Sequence, residues 1–123
     1  MFDGDRANEF AMKLAGASYM EIHAAGGGIH YTVKKTAEAS EERLLDLLRC
    51  RLDQMVKQGT TTIEAKSGYG LELDTEIKML KVLKAAKDQH AMHIQSTYLA
   101  AHAVPIGRSA AEMTDEIVNT VNG

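Results

Sequence analysis

Apolar positions fall into helical stripes separated by two short runs with the character of strands. Phe10, Leu14 and Ala17 recur at helical spacing, with Met12 and Ala15 beside them, which predicts a short amphipathic helix over Asn8 to Ala17. Tyr19 to Ala25 adds a further helical turn or two, and Gly26-Gly27-Gly28 stops it. Three consecutive glycines carry a large backbone entropy cost, so they suit a turn, a close chain approach or a flexible corner. The clearest helix follows. Ser40 is placed as its N-cap, Glu41 and Glu42 sit at the positive end of the helix dipole, and Leu44, Leu48, Leu52 and Met55 recur every three or four residues. Leu45 and Val56 widen that stripe, Arg43, Asp46, Arg49, Asp53 and Lys57 occupy the other side, and Gly59 closes the helix.

Thr60 to Ala65 is rich in β-branched residues and reads as a strand, ending in Lys66-Ser67-Gly68-Tyr69-Gly70. A second unit of the same kind comes next. Asp74 is expected to cap a helix carrying Ile77, Leu80, Leu83 and Ala86, and Met92 to Leu99 reads as another strand with Ala100 to Pro105 as its terminal loop. Ser109 or Thr114 begins a last helix reaching toward Val121. Helix, strand, helix, strand, helix implies parallel strands joined by crossover helices, an α/β architecture. Two strands and three good helices cannot cover both faces of a parallel sheet and hide its edges, so exposed apolar surface is expected. The pattern therefore reads as an excerpt, residues 1–123 making part of one (β/α)8 barrel, a fold of roughly 250 residues.

Composition excludes several classes. The chain has 123 residues, 14 Lys+Arg against 17 Asp+Glu, and 45% hydrophobic positions in short runs, far from the roughly 20 apolar residues of a membrane span. The acidic start, Met1 to Arg6, has no secretory pattern, and the lone Cys50 makes no disulfide framework, so a reducing, cytoplasmic setting is expected. A net charge of −3 without a Lys/Arg stripe lacks the footprint of nucleic-acid binding.

In parallel α/β folds the reactive groups gather at the C-terminal ends of strands. Tyr69 stands between two glycines on the first such loop, and His102 follows the second strand among small alanines. Tyr69 capping the sheet and His102 as a satisfied structural histidine are the plain alternatives. Coincidence favours a site: neighbouring strands place their tips about 5 Å apart, so both side chains reach one small polar ligand. His90 at a helix exit, His93 at the start of a strand, and His23 and His30 beside the glycine run form no HxH or HExxH pair, and Cys50 reads as a small buried hydrophobe. The glycine run lacks the Lys and Ser/Thr of a phosphate loop. Glu64 and Lys66 read equally as barrel lining or as an ion pair.

Five segments taken together carry a resemblance: Gly4 to Phe10, Gly16 to Tyr19, Ala25 to Ile29, Lys66 to Leu71 and Tyr98 to Pro105. In this order and at these separations they resemble the imidazolonepropionase family of the amidohydrolase superfamily, in its animal form. The resemblance implies a metal-dependent (β/α)8 hydrolase that opens the cyclic amide of 4-imidazolone-5-propanoate to N-formimidoyl-L-glutamate in histidine breakdown. It implies zinc or iron as the metal of the full-length enzyme, and a homodimer is compatible with it. Carried over by position, Arg6, Tyr69 and His102 match substrate-binding residues, and Tyr19 a further pocket tyrosine. The family's metal-binding HxH would fall upstream of Met1 and its later ligands beyond Gly123, so this stretch is expected to hold part of the substrate pocket, no metal ligand and no catalytic residue. A small independent α/β binding or regulatory module without catalysis is the competing expectation.

Overall fold

The computed structural model describes residues 1–122; the side chains of His23 and Asn122, and all of Gly123, lie outside it. In chain order it contains α1 (Ala7–Leu14), α2 (Tyr19–Ala24), α3 (Ile29–Glu38), α4 (Glu41–Lys57), β1 (Thr62–Lys66), α5 (Leu73–Gln89), β2 (His93–Thr97), a single 3-10 turn (Ala100–His102) and α6 (Ala110–Asn122). The strands pair in parallel, with Thr62 opposite His93 and Lys66 opposite Thr97. With α5 as the crossover they form one βαβ unit.

The core lies on one face of this sheet. Leu44, Leu48 and Leu52 of α4 meet Val82, Leu83 and Ala86 of α5 over Ala65 and Ile94. Side chains alternate along a strand, so Thr62, Glu64, Lys66, His93 and Gln95 emerge on the opposite face, which is exposed. Glu64 there pairs with Lys66 and accepts a hydrogen bond from Thr97 Oγ1 at 2.7 Å.

Local chemistry sets the element ends. Ser40 Oγ accepts from the Arg43 amide at 3.1 Å and caps α4. At the other end Gly59, at φ +89°, lets its own amide reach the Val56 carbonyl and the Thr60 amide reach that of Met55, a Schellman closure. Ser109 and Glu112 make a reciprocal capping box for α6, and Ser18 with Glu21 does the same for α2.

Three expectations are corrected. The cap of α5 is Glu72, not Asp74, and the buried stripe is Glu76, Met79, Val82, Leu83 and Ala86, leaving Ile77 at the rim. Cys50 is exposed: at 100° per residue it lies roughly 160° from the centre of the Leu44, Leu48, Leu52 stripe. Helix α3 adds an element that the apolar pattern does not show, because the residues it buries are Thr32 and Thr36. Thr36 Oγ1 accepts from the Asp3 amide at 3.1 Å and so ties α3 to the N-terminal segment.

Candidate functional site

The loop after β1 is fixed by hydrogen bonds on every side. Ser67 extends the ladder with its amide on the Thr97 carbonyl at 3.0 Å, and its hydroxyl accepts from the Leu99 amide at 2.9 Å, joining the two strand exits. Beyond it, the carboxylate of Glu76 reaches back from the first turns of α5. It accepts from the amides of Gly68 (3.0 Å), Gly70 (2.7 Å) and Leu71 (3.0 Å). Gly68 has φ +101°, and a Cβ there would stand 2.9 Å from the Leu99 carbonyl oxygen; at Gly70 a Cβ would stand 2.6 Å from the Glu76 amide. Both positions therefore require glycine. Leu71 also sits at positive φ, fully buried.

His102 closes the arrangement from the β2 side. Its Nδ1 lies 2.8 Å from the Gly68 carbonyl oxygen. A carbonyl only accepts, so Nδ1 carries the hydrogen, and in the neutral ring Nε2 is left as an acceptor. The His102 and Tyr69 rings meet edge to face, with centroids 5.2 Å apart, and Tyr69 meets Phe2 in the same manner at 5.4 Å. Phe2 is in turn covered by the Arg51 guanidinium, 4.4 Å from its centroid. Phe2, Lys66, Tyr69, Leu99 and His102 line a cavity of about 450 Å³.

Arg6 and Tyr19 line a second cavity, of about 340 Å³, with Phe10, Lys13 and Ile22. Arg6 Nε and Nη2 both donate to Glu9 Oε2, at 2.9 and 2.7 Å, while the other carboxylate oxygen accepts from the Gly28 amide at 3.0 Å. The glycine run is thus a site of close approach, since a Cβ on Gly27 would stand 2.9 Å from the Glu9 carboxyl carbon. The hydrogen bond to Glu9 holds the Arg6 guanidinium above its ordinary value. The same bond from Arg6 holds the Glu9 carboxyl below the usual carboxylate range.

The four residues singled out in the sequence therefore form two pairs, Arg6 with Tyr19 and Tyr69 with His102; Phe2, which lies against Tyr69, also borders a cleft that Arg6 lines. Glu76, Glu9 and Phe2 are structural neighbours of these residues that the sequence does not single out. Glu76 had left a signal: a carboxylate in phase with Met79, Leu83 and Ala86, directly after a glycine-rich loop. His90 has a local role, accepting from the Met92 amide through Nδ1 and donating from Nε2 to Asp53. Among the described residues no group of three or more His, Cys, Asp or Glu is placed to hold a metal ion.

No protein-family profile matches the chain. A probable imidazolonepropionase of Dictyostelium discoideum is 57% identical over 120 residues, covering 97% of this chain and 28% of that protein. Those of Danio rerio and Homo sapiens are 57% and 55% identical over 115 and 116 residues, each alignment covering 94% of this chain and 27% of the relative. The chain is similar to a segment of imidazolonepropionase. It spans about a quarter of the length of the imidazolonepropionases it matches, and almost none of its own length is left outside the match. The five segments quoted from the sequence point to the same family as these relatives.

Proposed function

We propose that residues 1–123 form part of the single catalytic (β/α)8 barrel of an imidazolonepropionase and supply substrate-binding groups for 4-imidazolone-5-propanoate. The observation that carries this reading is the contact between Tyr69 and His102 at the exits of adjacent parallel strands. Arg6 offers a ligand carboxylate the end-on edge of its guanidinium, because Glu9 occupies the edge formed by Nε and Nη2. The Tyr69 phenol and His102 Nε2 hydrogen-bond to the imidazolone ring, and Tyr19 closes the carboxylate side. Glu64, Lys66 and Thr97, on the uncovered sheet face, are where a closed barrel would have its interior.

The hydrolysis itself needs a polarised carbonyl and an activated water, the chemistry that zinc or iron supplies in the complete enzyme. The described residues do not fit a metal site, and their contribution is binding and orientation. In this reading the enzyme works in the cytoplasm, and the 123-residue chain binds its ligand without turning it over.

Calorimetric titration with 4-imidazolone-5-propanoate tests the assignment. Arg6→Ala weakens binding about tenfold or more, the worth of a charge-assisted hydrogen-bond pair at roughly 1.5–3 kcal/mol. Unchanged affinity removes Arg6 from the pocket. Ring opening measured on this chain with added zinc or iron stays at the uncatalysed rate, and measurable turnover overturns the division between binding and catalysis.

A further inference from the structure

The Glu76 carboxylate is completely buried, 0% exposed, and none of the ion pairs among the described residues involves it. Three amide donors satisfy it instead, those of Gly68, Gly70 and Leu71. A buried charge is costly unless its acceptor sites are filled, so the loop and the carboxylate hold each other in place. The clamp brackets Tyr69, whose two neighbours, Gly68 and Gly70, are both tied to the same side chain. It also reaches His102. The Gly68 amide donates to Glu76 while the Gly68 carbonyl accepts from His102 Nδ1, so one glycine links the buried carboxylate to the imidazole.

We propose that Glu76 is a positioning residue: through the backbone of Gly68 it fixes His102 as the Nδ1–H tautomer, presenting Nε2 as a hydrogen-bond acceptor, and it holds Tyr69 against the imidazole ring. The inference deepens the reading of Tyr69 and His102 as a ligand-binding pair and rests on it. It narrows the chemistry of the ligand group facing His102: a neutral ring in this tautomer selects an N–H or O–H donor there, as a cyclic amide N–H provides.

The test is the tautomer of His102, read from its ring nitrogen shifts in a long-range proton–nitrogen correlation spectrum of the 123-residue chain without ligand. The wild type shows the Nδ1–H form; an Nε2–H form overturns the assignment, and this arm depends on no variant folding. Glu76→Leu removes both acceptor oxygens, and with them the side-chain partner of the Gly68, Gly70 and Leu71 amides. The variant therefore frees the Gly68 peptide and shifts His102 toward the Nε2–H form. Leu83→Ala, two turns further along α5 in the core with Leu44 and Ile94, leaves the tautomer as in the wild type. Retention of Nδ1–H in a folded Glu76→Leu chain, or an equal shift in Leu83→Ala, overturns the proposal. If the tautomer follows this pattern but the imidazolone does not bind, the substrate reading fails while the placement of His102 by Glu76 stands.

Discussion

Gly68 shows how much of the site depends on single positions. Its left-handed backbone and the 2.9 Å approach to the Leu99 carbonyl leave no room for a side chain. Gly16 has a comparable φ of +94° but open space around it. Gly68→Ala is therefore expected to destabilise the chain by about 2–4 kcal/mol, strain plus clash, against about 1–2 kcal/mol for Gly16→Ala, strain alone. Urea denaturation measures both, and equal losses would contradict the tight packing of the loop against the β2 exit. Residue by residue, the sequence reveals groups whose type is unexpected for their surroundings. Tyr69 between glycines and His102 among alanines are visible for that reason. Glu76 is not, because a carboxylate inside an apolar stripe reads as an interruption until the three amides it accepts from are seen. The orientation of Arg6 was equally hidden: its partner Glu9 is three residues away, but the Gly28 amide that steadies Glu9 is nineteen residues further along the chain.

Among the elements, α4 was the most legible, since its cap, its stripe and its glycine stop all agree. Its leucines also carry the core. Leu52 is fully buried between α5 and β1, so Leu52→Ala is expected to cost about 2–5 kcal/mol, whereas Met55→Ala, at a position 40% exposed, costs well under half of that. Thermal unfolding followed by circular dichroism checks the ranking, and a larger loss at Met55 would place the core elsewhere. The order of the strands and the α5 crossover were readable because β-branched runs alternate with helical periods. Helix α3 was not, because a threonine face that buries hydroxyls against the N-terminal segment gives no hydrophobic period. The stripe of α5 was misjudged at its start for a related reason: the side chain that belongs to the core there is charged.

At the scale of the whole molecule, one face of the sheet is packed and the other is open and polar, while Phe10, Leu14, Met20 and Ile106 stand exposed. An apolar surplus of this kind was anticipated from two strands and too few covering helices. The split into two cavities was not anticipated, because distances between loops from different parts of the chain are set by tertiary packing. One ligand spanning Arg6 and the Tyr69–His102 pair would join them. Titrating isotope-labelled chain with 4-imidazolone-5-propanoate and following the Arg6 guanidinium, the Tyr69 ring and the His102 imidazole by NMR tests this directly. The account predicts that all three shift along one saturation curve, and that Arg6→Ala moves the curve at the other two to about tenfold or more higher ligand concentration. Shifts at the rings that ignore the arginine, or three unrelated curves, would contradict a single shared site.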